Sequence, residues 1–163
     1  MTVTVRRYRP ADRPIVAALL LELNRHENSI SGESLTDDDT ALLGAIEAED
    51  MLDGGETEVV IAESGGEPAG LLIWYVATGE SYLAAHLRRY GKVDALVVAQ
   101  KHRGRGIGNL LLGEAERLTR ERGLSRMMLH VIEGNDGAAE AYRKFGFRPH
   151  SRNMTKLLDD GEF

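Results

Sequence analysis

Cysteine is absent from this chain of 163 residues. The chain can therefore form no disulfide, no cysteine-ligated zinc site and no cysteine nucleophile. It also lacks the Gly-x-Ser-x-Gly turn that presents a nucleophilic serine in many hydrolases, so acyl-enzyme chemistry has no evident nucleophile. Because nothing in the composition suggests an oxidising compartment, we expect a cytoplasmic protein.

Long apolar runs are missing as well. No stretch approaches the roughly 20 apolar residues that span a bilayer, and the N-terminal segment MTVTVRRYRPADRP lacks the apolar core of a signal peptide. We therefore expect no membrane partner. The length, together with 42% hydrophobic and 28% charged residues, predicts a single domain over residues 1–163.

Positive charge is in the minority and unevenly distributed. The net charge is −6, which disfavours general binding to nucleic acid. Residues 22–58 contain 12 acidic residues and one basic residue, a balance of −11, whereas residues 100–126 contain seven basic and three acidic residues, a balance of +4. The protein should therefore present an acidic side and a basic side.

The order of predicted elements indicates a mixed α/β (α+β) fold. Strands are expected at residues 3–8, 57–63, 68–77, 92–99 and 124–132, with one or two closing strands in residues 147–158. Helices are expected from about residue 12, over residues 36–52, from about residue 107 to 122, and over residues 134–146. The sheet should be mostly antiparallel at its start and parallel around the loop that follows residue 99.

That loop is rich in glycine and arginine, with the sequence RGRGIG at residues 103–108. A Walker loop would end in Gly-Lys-Ser or Gly-Lys-Thr, but here Gly108 is followed by Asn109. A dinucleotide-binding loop fits the glycine spacing less well, although Glu133 could mimic its ribose-binding acid, and an ordinary turn also stays open. Glycines directly before a helix N-terminus favour a bound pyrophosphate, because backbone N–H groups there can approach the anion.

Two motifs resemble those of the GNAT superfamily of N-acetyltransferases. The loop is similar to its Arg/Gln-x-x-Gly-x-Gly/Ala motif through Arg103, Gly106 and Gly108. The downstream segment NDGAAEAYRKFGF resembles the family's Asn-x-x-Ala-x-x-x-Tyr-x-x-x-Gly-Phe pattern through Asn135, Ala138, Tyr142, Gly146 and Phe147. The resemblance implies a GNAT-like, centrally splayed sheet flanked by about four helices, and direct acetyl transfer from acetyl-CoA to a primary amine in a ternary complex, without a metal.

The resemblance also implies site residues. The cofactor would contact Leu96, Val98, Arg103, Gly104, Arg105, Gly106, Gly108, Asn109, Asn135 and Tyr142. Within that set, the Leu96 N–H would meet the thioester carbonyl, and the Tyr142 phenol would protonate the departing thiolate; packing on the pantetheine arm is the alternative role for Tyr142.

Asp94 is the candidate general base. Strand alternation predicts that it shares a face with Leu96, two residues on, and a related branch of the family carries a glutamate at this position. A carboxylate of ordinary pKa would need a water or desolvation to accept the proton, and a purely structural Asp94 stays open. His130 is expected to be structural or to lie on the acceptor side.

The identity of the acyl acceptor is the part of the function for which the sequence gives the least evidence. In the family, the two N-terminal helices form the acceptor wall, and here that wall is acidic through Glu22, Glu27, Glu33 and Asp37–Asp39. This favours a small cationic amine. A protein N-terminus or lysine, or a non-catalytic CoA-binding sensor module, remain alternatives. A homodimer is the expected assembly, and no nucleic-acid partner is expected.

Overall fold

The structure is a computed structural model that describes residues 2–158. In this described part of the chain, five strands form one sheet in the order β1-β2-β3-β4-β5. Their bounds are β1 Val3–Arg7, β2 Thr57–Ser64, β3 Glu67–Thr78, β4 Arg89–Val98 and β5 Met127–Leu129. The first four strands pair antiparallel and β5 joins β4 in parallel, which confirms the mixed sheet predicted from the sequence.

Between residues 2 and 158, five α-helices connect and cover these strands. Their bounds are α1 Arg13–Ser31, α2 Asp38–Met51, α3 Ala85–Arg88, α4 Ile107–Glu121 and α5 Asp136–Phe145. The Asp37 side chain caps α2 by accepting a hydrogen bond from the Thr40 N–H at 2.8 Å, as an N-cap residue does. No helix within residues 2–158 combines the length and the apolar character needed to cross a bilayer.

The sheet carries a hydrophobic core on each face. On one face, the α1-side core joins α1 and α2 to the central strands through residues such as Val16, Ala45 and Leu71. On the other face, the α4-side core packs α4 against the same strands around Trp74, whose indole N–H donates to Thr119 Oγ1 at 3.1 Å. The two cores hold β4 from Val93 to Val97 and the start of α4 at Ile107, and these elements carry the site.

The sheet splays between β4 and β5. The two strands pair only at Gly91–Met127, Lys92–Met128 and Val93–Leu129. Residues 94–98 of β4 continue beyond that point without a partner on the β5 side. This opening confirms the centrally splayed sheet expected of the fold.

A β-bulge lies where the splay begins. Ile73 of β3 pairs with Ala95, and Trp74 pairs with Val93, so Asp94 has no partner residue on β3. A bulge inserts one extra residue and reverses the alternation that follows it.

The reversal is visible in the backbone hydrogen bonds of β4. The Gly91 N–H donates towards β5, to the Arg126 carbonyl at 2.9 Å. The Ala99 N–H, at the end of the strand, donates towards β3, to the Ala69 carbonyl at 2.8 Å. Odd-numbered residues thus point their N–H groups at β5 before the bulge and at β3 after it.

Two predictions about the C-terminal part were wrong. The closing strands expected in residues 147–158 do not form, because the segment finds no neighbouring strand and every residue from 148 to 158 is exposed. The strand predicted over residues 124–132 is limited to Met127–Leu129, because β5 diverges from β4 and loses its ladder. The short helix α3 was not predicted; it lies between the strands expected at residues 68–77 and 92–99.

Candidate active site

A cavity of about 610 Å³ occupies the splay between β4 and β5. Helix α1 forms one wall, the free part of β4 forms the floor, and the end of β5 with the start of α5 forms the opposite wall. The lining includes Leu23, His26, Glu27, Ile30, Asp94, Leu96, Val98, Arg103, Gly108, His130, Asn135, Ala138 and Tyr142. The structure thus brings both sequence motifs, which lie about 30 residues apart, to one cavity.

The glycine-rich loop offers a row of free backbone donors at one end of this cavity. Gly104 and Gly106 have φ of 77° and 80°, a conformation that side chains other than glycine rarely adopt. Within residues 2–158, none of the N–H groups from Gly104 to Asn109 donates to a protein acceptor, and the first bonded N–H is that of Leu110, to the Gly106 carbonyl. Unpaired N–H groups at a helix N-terminus are a ready anion site.

Side chains complete the cationic end of the cavity. Arg103 lines the cavity, and its Nε donates to the Val98 carbonyl at 3.2 Å, which turns the guanidinium back over the end of β4. Gly108 lies in the first turn of α4 and also lines the cavity, whereas Arg105 and Asn109 are exposed outside it. The loop therefore holds positive charge and free N–H groups side by side.

The free edge of β4 contributes two further donors. Leu96 and Val98 are even-numbered residues after the bulge, so their N–H groups point away from β3 and towards the open splay. Both residues also line the cavity. The bulge is therefore the structural reason why the donors predicted at Leu96 and Val98 face the cavity and not the sheet.

Tyr142 lies on α5 and faces Glu27 of α1 across the cavity. Burial, and secondarily the negative charge of Glu27, raise the pKa of the Tyr142 phenol above its usual value. The hydroxyl therefore keeps its proton at neutral pH and can act as a donor to an anionic group.

Asp94 lines the same cavity as Leu96. Strand alternation does not by itself account for this placement, because the bulge interrupts the alternation at Asp94: Val93 belongs to the α4-side core and Ala95 to the α1-side core. The carboxyl is exposed to the cavity mouth, and loss of hydration raises its pKa despite the opposing charge of Lys92.

The acidic wall predicted from the sequence divides into residues at the site and residues away from it. Glu27 lines the cavity, whereas Glu22 accepts a hydrogen bond from the Gln100 N–H at 3.1 Å in a separate groove beside α1. Glu33 is exposed beyond the end of α1, and Asp37 is used as the cap of α2. Only one of the predicted wall residues is thus available to a ligand in this cavity.

Residues of α1 that line the cavity were missed as a group. Leu23, His26, Glu27 and Ile30 have the i, i+3, i+4, i+7 spacing of one helix face, and Gly134 closes on them, since a Cβ there would lie 3.0 Å from Ile30 Cγ2. This spacing is visible in the sequence, but two of the four residues are polar, so the sequence did not mark them as one cavity-lining face.

His130 was expected to be structural or to lie on the acceptor side, and it lines the same cavity. Within residues 2–158, no cluster of three His, Asp or Glu side chains could hold a metal.

Comparison with known proteins places this cavity in a family context. The sequence matches the Acetyltransferase (GNAT) family over residues 20–147. The chain is 36% identical to YobR, an uncharacterized N-acetyltransferase of Bacillus subtilis strain 168, over 42% of this chain and 28% of that protein. It is 42% identical to streptothricin acetyltransferase of Streptomyces lavendulae over 34% of this chain and 29% of that protein. The chain thus spans less than a third of the length of either relative.

The fold extends the likeness over nearly the whole chain. The solved structure of AAC(6')-Iy in complex with the bisubstrate analog CoA-S-monomethyl-acetylneamine has a TM-score of 0.75 at 15% sequence identity. The match covers 98% of this chain and 100% of that one. The GNAT-like fold predicted from the two motifs is therefore confirmed.

Proposed function

The chain belongs to the GNAT acetyltransferase family, and on that premise we propose that it transfers an acetyl group from acetyl-CoA to the primary amine of a small cationic molecule. The observation that carries the proposal is the row of N–H groups from Gly104 to Asn109, which within residues 2–158 have no protein acceptor and lie at the end of a cavity that is also lined by Glu27 and Asp94. We propose direct transfer, which suits a chain that has neither a cysteine nor a Gly-x-Ser-x-Gly turn to carry an acyl intermediate.

The cofactor end of the cavity fits a pyrophosphate. Six consecutive N–H groups and the dipole of α4 favour a bound anion, and Arg103 adds a full positive charge beside them. No side chain at Gly104, Gly106 or Gly108 obstructs the approach to these donors. From there, the free N–H of Val98 lies along the route that the pantetheine arm would follow over β4.

Leu96 supplies the donor where negative charge develops. Its N–H points into the splay, so it can donate to the thioester carbonyl oxygen as the amine attacks. A backbone donor held by a sheet needs no reorganisation during the reaction, which is the basis of oxyanion stabilisation. Asn135, at the start of α5, can hydrogen-bond the amides of the same arm.

Tyr142 supplies the proton that the leaving thiolate takes. A phenol whose pKa is raised by burial and by Glu27 is fully protonated at neutral pH and is regenerated by water afterwards. Asp94 is the proposed acceptor of the proton that the amine loses, directly or through one water. Its raised pKa makes it a stronger base than an ordinary aspartate, which suits that role.

A cationic acceptor follows from the charges that the cavity contains. Among residues 2–158, neither Glu27 nor Asp94 forms an ion pair, so both carboxylates are free to bind an ammonium group. The cofactor end is basic, so anion and cation are attracted to opposite ends of one cavity. The relation to streptothricin acetyltransferase and the likeness to AAC(6')-Iy in complex with an acetylneamine analogue add support.

The deciding experiment measures CoA release from acetyl-CoA in the presence of separate classes of acceptor. We expect turnover with polyamines, amino sugars or aminoglycosides, and slow or no turnover with neutral amines, acidic amines and peptide N-termini. If a peptide N-terminus is acetylated efficiently and no cationic small amine is, the acceptor is a peptide or protein and the proposed acceptor class is wrong. Calorimetric binding of CoA without any turnover would instead favour a sensor module.

A further inference from the structure

His102 is a buried titratable residue that the proposed mechanism does not use. It ends the short 3-10 turn Gln100–His102, directly before the glycine-rich loop, and only 3% of its surface is exposed. Its neighbours Lys101 and Arg103 are exposed. A buried imidazole needs partners for its nitrogens, and the identity of those partners shows what the side chain can do.

The two ring nitrogens of His102 face charged groups on two different segments. Nδ1 lies 3.4 Å from Nη1 of Arg105 in the loop, and because a guanidinium has donors and no acceptor, Nδ1 is the acceptor in this contact. Nε2 lies 3.5 Å from Oε2 of Glu67 at the start of β3 and, within residues 2–158, makes no hydrogen bond.

Glu67 is itself fixed in place. Its carboxylate pairs with Lys101 Nζ at 2.8 Å, and Lys101, with a smaller contribution from His102, holds the pKa of Glu67 below its usual value. The carboxylate is thus ionised at neutral pH and presents a negative charge to the buried imidazole. The contacts run from Lys101 through Glu67 and His102 to Arg105, and they connect the β2–β3 hairpin to the loop.

We infer that His102 is a positioning residue for the cofactor loop: fixed by burial beside Glu67, it orients the Arg105 guanidinium beside the free N–H groups of Gly104–Asn109. The inference rests on the proposed function, since it assigns a partner to the same anion site. Arg105 lies between two glycines of positive φ, where the backbone gives its side chain little guidance. Holding the guanidinium through one buried acceptor reduces the side-chain entropy lost when the pyrophosphate binds.

The test compares calorimetric CoA affinity and steady-state kinetics in a small set of variants. His102→Leu should raise the dissociation constant for CoA and KM for acetyl-CoA about tenfold, the loss expected for one hydrogen bond to a charged group, with kcat at saturation unchanged. His102→Asn should recover most of the affinity, because its amide oxygen can replace Nδ1 as an acceptor. Arg120 is an exposed arginine paired with Glu116 on α4, so Arg120→Met is the control for the loss of one positive charge in Arg105→Met, the variant used below.

A double-mutant cycle separates positioning from packing. Arg105→Met alone should weaken CoA binding, and adding His102→Leu to it should have almost no further effect. Additive effects, or a fall in kcat that follows a fall in Tm, would overturn the inference. If His102→Leu does not fold, Glu67→Gln on the exposed partner must still raise KM for acetyl-CoA; unchanged KM there overturns it equally. Failure of the unaltered protein to bind CoA would count against the proposed function itself.

Discussion

The two ends of the cavity are built from different parts of the polypeptide. The proposed cofactor end consists mainly of backbone: N–H groups of the glycine-rich loop and of the free edge of β4. The proposed acceptor end consists of side chains, among them Glu27 of α1 and Asp94 of the bulge. An end built from backbone binds one fixed chemical group with little dependence on side-chain identity, whereas an end built from side chains can change its ligand by single substitutions.

The largest expected effect is a loss of acetyl-CoA affinity when a side chain is added at Gly108 of the proposed cofactor end. Gly108→Leu inserts a side chain at the cavity lining, where a Cβ meets only Val98 Cγ2 at 3.8 Å, so the fold should tolerate it. We expect acetyl-CoA affinity to fall by about 100-fold or more by calorimetry, because the side chain blocks the approach to the loop donors.

Gly113→Leu is the matched control for this substitution. Gly113 also lies in α4, with nothing within 4 Å of its Cβ position, and it is exposed away from the cavity. Both variants should gain helix propensity and keep or raise Tm. Equal affinity for acetyl-CoA in the two variants would mean that the cofactor does not use this end of the cavity.

Tyr142→Phe tests a residue that stands between the two ends. It should lower kcat by roughly 10- to 1000-fold, with a water as partial replacement, and leave cofactor affinity nearly unchanged. The measurement is steady-state turnover together with calorimetric binding of CoA. Intact turnover with weakened binding would make Tyr142 a packing contact and remove the proposed acid.

The contrast between the two ends also explains what the sequence could predict. The loop was recognisable because its backbone conformation requires glycine at Gly104 and Gly106, a requirement written directly in residue types. The free donors of Leu96 and Val98 came only from resemblance, since they depend on a bulge that no residue type in β4 announces.

The acceptor end was harder to predict because its residues come from elements that are distant in sequence. Glu22 and Glu27 are the same residue type and lie on one helix, but only packing against β4 and α5 decides which of them reaches the cavity. The expected strands after residue 147 failed for a similar reason: a strand needs a neighbour, and a local pattern does not show whether one is present.

Glu27→Gln tests whether Glu27 contributes to binding of the acceptor. Removing this charge from the cavity should raise KM for a cationic acceptor about tenfold, the loss expected for one charge-assisted contact, with little effect on KM for acetyl-CoA. Glu33→Gln makes the same change of charge on an exposed residue beyond α1 and should have no such effect. Equal shifts in both variants would assign the acidic balance to the surface in general.

Ionic strength should have a smaller effect, on KM for the cationic acceptor. The Debye length falls from about 30 Å at 0.01 M salt to about 8 Å at 0.15 M, so KM for the cationic amine should rise a few-fold over that range. In Glu27→Gln the rise should be smaller, because one of the attracting charges is gone. A KM that is independent of salt in both proteins would contradict electrostatic attraction of the acceptor.

The smallest expected effect is on the free energy of unfolding, and it arises from the charge of Asp94 at the proposed acceptor end. Since loss of hydration raises the pKa of Asp94 in the folded state, the unfolded chain ionises more readily. The stability contributed by this group is complete below its unfolded pKa and is lost as pH rises through the folded pKa. Asp94→Asn should therefore stabilise the protein at pH 7, by less than about 1 kcal/mol because the carboxyl is solvent-exposed.

Urea unfolding at pH 7 and at about pH 3 measures this effect, since the difference between Asp94→Asn and the unaltered protein should vanish where the aspartate is protonated in both states. The same variant should lose turnover, because an amide cannot accept the proton that the amine releases. Greater stability with lower activity is the pattern expected of a charge kept for catalysis. Destabilisation at pH 7 would instead assign Asp94 a structural role at the bulge, and the acceptor end would then rely on Glu27 alone.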